Sequence, residues 1–410
     1  MKDREQRMKS SLGRISGAVR ALTQFKEEDD PGPLIPGHRL RAIGAELEDV
    51  VGLSSGSQSD VSPHPDVYEA ARRAYDERVG PAGQWGLPEF RAAVADKLRR
   101  AGGAVFDPDR EILPTIGCQF AIFATILILV DPGDEVLIMD PEYPNIAPLV
   151  HLAGGKPVYV PYDRAGEGWA FNPDRLRSCI SPATKLFVFS NGANPTGVLM
   201  TPGDLKEIAR LAEDHGFYVF SDEENEGISF DGYGHTSITS LGSGSGRLIA
   251  GFSFSKAYAM SGFRIGYMVA PDWIVDFAAD LVYLTVQSAP TVSQKAAIAA
   301  LTEPVQKWLR ANAEKLQEKR DYALERLNSM PGIRCGVPRG CYFLFPEIRD
   351  LGLPSIEFTE RLLREEKVLV RPGEPYGPSG SDFVRVSFCV SPENLAEGLD
   401  RFERFVRRLG

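Results

Sequence analysis

Ser253-Phe254-Ser255-Lys256-Ala257-Tyr258-Ala259-Met260-Ser261-Gly262-Phe263-Arg264-Ile265-Gly266-Tyr267 is the stretch on which the reading of this chain turns. Two serines flank the approach to Lys256, and Arg264 follows between Gly262 and Gly266. The apolar run from Arg247 to Phe252 leads in with the pattern of a buried strand, and Phe263 to Ala270 leads out as another. Lys256 is therefore predicted in a connection at a strand's end, where α/β proteins place their chemistry. A lysine there forms a Schiff base with an aldehyde. Hydroxyls and an arginine beside it suit a phosphate, the arginine as a bidentate fork. An aldehyde and a phosphate together describe pyridoxal phosphate. The competing reading is a surface lysine between two strands with a structural arginine; Arg264 and its glycines beside Ser-x-Ser-Lys tip the balance to the cofactor.

Outward from this stretch, composition narrows the field. The 410 residues are 43% hydrophobic and 25% charged, an ordinary balance for a soluble enzyme with one large domain and a smaller satellite. The net charge of −10 argues against a nucleic-acid partner. No apolar run approaches the roughly 20 residues of a membrane span. The first thirty residues lack the apolar core of a signal peptide, so a cytoplasmic protein is expected. Five scattered cysteines (118, 179, 335, 341, 389) form neither a disulfide framework nor a zinc motif, and the five histidines show no metal spacing. No metal is expected.

Along the chain, residues 1–30 read as a polar amphipathic helix, and the breakers at 31–37 mark an arm. Helices are predicted over 65–78, 88–100, 118–130, 144–153 and 202–215, with strands at 50–53, 111–114, 136–139, 157–161, 185–190 and 217–221. That alternation implies a mostly parallel, doubly wound sheet. A long helical stretch spans 291–330. Strands at 332–337, 342–346 and 384–388 and helices at 356–366 and 392–407 make an α+β tail. The expected organisation is an arm over 1–50, a large domain over 51–290, connecting helices over 291–330 and a small α+β domain over 331–410 that includes part of the arm.

Four further features converge on the same cofactor. Asn194 lies in Asn191-Gly192-Ala193-Asn194-Pro195-Thr196-Gly197, after a strand, where its amide can donate to the cofactor's phenolic oxygen; the alternative is a plain turn. Asp222 ends a strand, where a buried carboxylate keeps a pyridine nitrogen protonated and the ring an electron sink; otherwise it caps a turn. Gly117, Cys118 and Gln119 open an apolar helix whose free N–H groups suit a phosphate. Tyr143, past the strand 136–139, is placed to stack on the ring. Arg385 interrupts an apolar strand in the tail and needs an anion: a substrate carboxylate or an internal salt bridge.

Taken together, these motifs resemble the class I/II aminotransferase family of fold-type I pyridoxal-phosphate enzymes, from about residue 50 to the C-terminus. Asn-Pro-Thr-Gly, the strand-end Asp-Glu, Ser-x-Ser-Lys with its arginine, and the C-terminal Arg-x-Ser occur in the family's order. The phrases Asp131-Pro132-Gly133-Asp134-Glu135-Val136 and Gly86-Leu87-Pro88-Glu89-Phe90-Arg91 are also similar to it. The resemblance implies a PLP-transferase fold, with a large domain and a small α+β domain, and a homodimer. By that resemblance Lys256 forms the Schiff base, Asp222 holds the pyridinium, and Asn194 meets the phenolic oxygen. Ser253, Ser255 and Arg264 hold the phosphate with the backbone at Cys118 and Gln119. Tyr143 stacks on the ring, Arg385 takes the substrate α-carboxylate, and Gly56 and Asn194 border the substrate.

The chain departs from the family pattern in three places. Asn225 stands where a tyrosine normally reaches the phenolic oxygen; its amide is expected to donate there in the tyrosine's stead. Pro81 replaces a tyrosine that reaches the neighbouring subunit, with Gln84 or Trp85 as candidates for the space. The turn around Gly56 lacks a proline. Glu223, Glu224 and Glu226 crowd acid nearby, read as a solvated loop face or, more sharply, as a sign of a cationic amino-acid substrate. The expected activity is an aminotransferase acting at the α-carbon of an amino acid. A β- or γ-eliminating or replacing enzyme, a cyclase, or a carbon–carbon bond-forming enzyme is the alternative on the same scaffold. A catalytically silent regulator would not need Lys256, Asp222, Asn194 and Arg264 together.

Overall fold

Seven strands form the central sheet of the computed structural model, which describes residues 38–102, 104–166, 168–242 and 246–409. Their spatial order is Ile112–Thr115, Gly266–Val269, Leu248–Ser253, Tyr218–Asp222, Thr184–Ser190, Glu135–Asp140 and Lys156–Pro161. Every neighbouring pair is parallel except those made by Gly266–Val269, which runs antiparallel to both of its neighbours. The apolar runs are unbroken because both faces are covered. Val136 and Ile138 point into one core with the helices Cys118–Leu129 and Asp272–Thr285, while Leu137 and Met139 point into the other. Fully burying a residue such as Phe187 or Phe220 stabilises by roughly 1.5–3 kcal/mol.

Short crossovers keep the parallel strands aligned, so Asp140, Ser190, Asp222 and Ser253 all end strands on one edge of the sheet. The helix Pro202–His215 shows how firmly one crossover is set. Thr201 and Asp204 form a reciprocal capping box, Pro202 occupies the first turn, and Leu205, Ile208, Leu211 and Ala212 are buried.

A second, antiparallel sheet contains Phe343–Leu344, Val384–Ser387 and Arg371–Pro372 in that order. The short strand Val51–Gly52 pairs with Val368–Leu369. Leu53 accepts from the Ser387 amide at 2.8 Å, which carries the following turn, Ser54 to Gly56, across to the central sheet.

Several expectations change. The segment 332–337 is not a strand; it makes one isolated bridge, Arg334 to Glu347, and runs into Pro338. The helical stretch 291–330 is two helices, Thr291–Ala300 and Glu303–Asn328, because Pro304 starts a new first turn and cannot continue an old one. The helix Asp272–Thr285 and the two-residue strands at 368–369 and 371–372 have no counterpart in the sequence reading. The helix expected over 1–30 lies outside the described residues.

Candidate active site

Lys256 follows the strand Leu248–Ser253 and faces a cavity of about 490 Å³. Tyr143, Asn194, Arg385 and Gly56 line the same cavity, so four chain-distant segments meet there. The Lys256 ammonium donates to the Gly56 carbonyl at 2.7 Å and lies 3.5 Å from a Glu224 carboxylate oxygen. A larger cavity of about 850 Å³, around Trp169, Tyr233 and Arg339, touches only Thr196 and Gly197 of the motif residues.

Asp222 is buried and accepts two bonds, from the Cys118 thiol at 3.1 Å and the Glu224 amide at 3.0 Å. Burial and then the Glu224 carboxylate push its pKa well above the usual carboxylate range. Gly251 permits the thiol's approach: a Cβ there would lie 2.7 Å from the Cys118 sulfur and 2.6 Å from Phe220. Burial and then Asp222 push the Cys118 thiol pKa well up, so it stays a protonated donor. Tyr143 accepts from the Asn145 amide at 2.8 Å, and burial followed by Glu224 raises its pKa. Glu142, beneath it, accepts from the Ser190 hydroxyl and amide and from the Tyr143 amide. Burial nevertheless raises its pKa to about 7.

The other end of the Lys256 segment gathers the hydroxyls. Arg264 donates to the Ser255 hydroxyl at 3.3 Å, the Ser261 carbonyl at 2.9 Å and the Ile116 carbonyl at 3.3 Å. Ser253 accepts from the Ser255 amide. Gly117 has φ +90°, and a Cβ there would lie 2.8 Å from an Arg264 terminal nitrogen. The bare backbone before Cys118 thus leaves the guanidinium and the helix N-terminus on one anion-sized spot. Gln119 points beside them and accepts weakly from Asn145 at 3.5 Å.

Arg385 is buried, donates to Asn194 Oδ1 at 3.0 Å and Ser54 O at 2.8 Å, and stacks 3.8 Å from the centre of the Phe343 ring. Its Nε has no partner. The internal carboxylate partner that a salt bridge would require is not there among the described residues.

The departures from the family pattern take these places in the structure. Asn225 donates its amide to the Gly192 carbonyl at 2.8 Å, and only its buried Oδ1 is left without a partner. One of its two amide hydrogens thus braces the Asn194 loop, and the second is left for a ligand oxygen. Gln84 donates to Asp280, and Trp85 packs against the core that holds the helix Cys118–Leu129. The acids at 223, 224 and 226 are not a solvated face. Glu223 is fully buried against His235, Ser221 and Asn191, and Glu226 pairs with Lys97. Burial alone would raise the Glu223 pKa, but His235 outweighs it and the net shift is down. None of the three lines the cavity directly, and Glu224 approaches it through the Lys256 ammonium, 3.5 Å away. The sequence reading also passed over Glu142 and Arg371; a lone acid or arginine in a turn gives no signal until its neighbours are known.

The profile of the aminotransferase class I and II family matches residues 48–402. The chain belongs to this family. An aspartate aminotransferase of Pyrococcus abyssi is 36% identical over 90% of this chain and 95% of its own length. Aromatic-amino-acid aminotransferase 2 of Thermococcus litoralis is 34% identical over 94% of this chain and 98% of its own. A solved Pyrococcus structure, protein-A1, is similar with a TM-score of 0.89 at 34% identity, covering 96% of this chain and 100% of its own. The chain is a pyridoxal-phosphate-dependent aminotransferase of fold type I.

The residues fit that cofactor. Asp222 lacks a cationic partner that a pyridinium N–H would supply, Arg264 with Gly117 and Ser255 forms a phosphate-sized cradle, and Lys256 lies between them in the chain's own cavity. No helix among the described residues is long and apolar enough to cross a membrane, and none of their acidic, histidine and cysteine clusters would hold a metal ion.

Proposed function

We propose that this aminotransferase moves the amino group between an amino acid and a 2-oxo acid with Lys256 as the proton carrier. The observation that carries the reading is the meeting of Lys256, Tyr143, Asn194 and Arg385 around one cavity. When bound, pyridoxal phosphate supplies an electron sink for the charge left as the α-carbon loses its proton. Arg385 binds the α-carboxylate as a fork and is kept planar against Phe343. Asn194 is oriented by Arg385, and Tyr143 closes the cavity over the ring. Gly56 and Glu224 hold the Lys256 amine at the cavity wall, where it would take the proton from the substrate α-carbon and return it. Asp222, kept from water, holds the ring nitrogen's proton. Ser253, Ser255, Arg264 and the amides at Cys118 and Gln119 bind the phosphate.

We further infer a homodimer in a reducing, cytoplasmic setting, with the large unit at 51–290, connecting helices at 291–330 and a small unit at 331–410. Exposed Phe277, Tyr283 and Leu284 lie on one helix, and an apolar groove of about 650 Å³ beside Arg264 is lined by Ile116, Phe120, Phe123 and Val286. These surfaces support burial against a second copy. The five free thiols fit a reducing compartment. The substrates named for the relatives, aspartate and aromatic amino acids, are the first panel to try.

The test is spectroscopic. Adding an amino acid alone to the loaded protein should move its visible absorption to the near-ultraviolet, and a 2-oxo acid should restore it. Recovery with the amino acid alone would point to elimination instead. Lys256→Ala should remove the visible band and lower turnover by about 10²–10⁴-fold; an undiminished band would end the assignment.

A further inference from the structure

The cavity of about 850 Å³ shares no residue with the one that Lys256 faces. Its walls come from the hairpin strand Gly168–Ala170, the loop 196–201 and the segment 335–339, so it lies on a seam between chain-distant units. Its size is that of a small-molecule site, and such sites favour seams of this kind, with apolar walls and few polar groups. Trp169 and the buried Phe345 supply apolar wall, and Tyr233 and Val337 line the cavity while staying exposed. Thr196 is only 8% exposed, lines the cavity, and its Oγ1 has no hydrogen-bond partner. A buried hydroxyl left so is costly until something bonds it. The two acids in the lining are already committed: Asp204 to the Thr201 cap, and Asp231 to Arg320 at 2.6 and 2.7 Å. Arg339 pairs with no carboxylate among the described residues, and its guanidinium lies 4.3 Å from the centre of the Tyr233 ring.

These groups describe a ligand. Aromatic walls suit a flat ring. A guanidinium lying on a tyrosine keeps its edge donors for a carboxylate, and the Thr196 hydroxyl is left for one more bond. We propose that this cavity is a regulatory site for a small aromatic carboxylate, held by Arg339 and Thr196 with its ring against Trp169 and Phe345. The route from it to the chemistry is short. The Gly197 carbonyl accepts from the Arg339 and Gly340 amides at 3.1 and 3.0 Å, and the Gly197 amide donates to the Ala193 carbonyl at 2.7 Å. Gly197 has φ +72°, and a Cβ there would lie 2.3 Å from Pro338, so the two backbones touch. Asn194, inside that loop, accepts from Arg385. A ligand drawing Arg339 toward Thr196 thus clamps the loop that presents Asn194. The effect on amino transfer rests on the aminotransferase reading; the binding site does not.

The experiment titrates the cofactor-loaded protein with 3-phenylpropionate, and with 3-phenylpropionamide as its neutral counterpart, by calorimetry and tryptophan fluorescence. Arg385→Gln serves as the background, because it removes the carboxylate anchor of the Lys256 cavity. There 3-phenylpropionate should still bind once per chain and change the emission, and the amide should bind about 10-fold more weakly or less. Adding Arg339→Gln, with thermal melting to show that it folds, should weaken the acid by the same factor. Trp169→Phe should remove most of the emission change. No binding in Arg385→Gln, or binding indifferent to Arg339→Gln, would overturn the proposal. Coupling is read from kcat at saturating amino acid, which competition in the Lys256 cavity leaves alone. It should fall as 3-phenylpropionate is added to the native enzyme and stay level in Arg339→Gln. Binding with a level kcat in the native enzyme would overturn the regulation and keep the site. Binding to a protein that transfers no amino group would keep the site and end the aminotransferase reading.

Discussion

Charge is handled in opposite ways below and above Lys256. Below it, the fold supplies partners: Glu223 has His235, Ser221 and Asn191, and Glu142 has three donors from Ser190 and Tyr143. Above it, Arg371 and Arg385 face each other across two strands with no carboxylate between them. The acidic floor is finished by the protein, and the cationic rim is left for a ligand. Asp222 is the floor's exception, a buried acid with only a thiol and an amide as donors, and it is the acid for which a ligand cation is expected. Under-paired buried charge therefore marks where the chain anticipates something it does not itself contain.

Arg385→Gln strikes the rim hardest. It should lower kcat/KM for every amino acid by about 10²-fold or more, 2–5 kcal/mol, chiefly in KM, while the visible absorption of bound cofactor stays. Steady-state kinetics beside a spectrum check this; loss of cofactor uptake would move Arg385 from the substrate to the cofactor.

Glu142 probes the floor. Its folded pKa of about 7 lies above its ordinary value of 4.5. Its contribution to stability is thus fully present below the unfolded pKa and is lost as pH rises through about 7. The span corresponds to about 3 kcal/mol. Denaturant unfolding at pH 5 and pH 8 should show that loss in the native protein and little of it in Glu142→Gln. An equally steep loss in the variant would assign it to another group.

Glu224→Gln should have the smallest effect. Removing the charge beside Asp222 lets that acid ionise more readily. In cofactor-free protein, stability falls as pH rises through the raised Asp222 pKa. The variant's fall should be smaller, read as melting temperature against pH. Identical curves would separate Glu224 electrostatically from Asp222.

Much of this was legible because it is local. Ser253, Ser255, Lys256 and Arg264 belong to one connection, and the strand ending in Asp222 announces itself by its apolar run. The parallel sheet followed from the same alternation. What escaped depends on the third dimension. Cys118 reaches Asp222 only because Gly251 is bare, and Asn225 spends one amide hydrogen on the Gly192 carbonyl. Residues 223, 224 and 226 read as one acidic cluster, yet they face His235, Lys256 and Lys97 respectively. Arg371 lies in a two-residue strand, too short for any periodicity, and its meaning comes from the arginine opposite.

The contact of Gly117 with the Arg264 guanidinium has a mutational corollary. At φ +90° any side chain at 117 is strained whatever room it finds, and a methyl would lie 2.8 Å from the guanidinium tip, which would have to swing aside. A substitution at 117 would therefore be felt at 264, by moving the group that grips the phosphate.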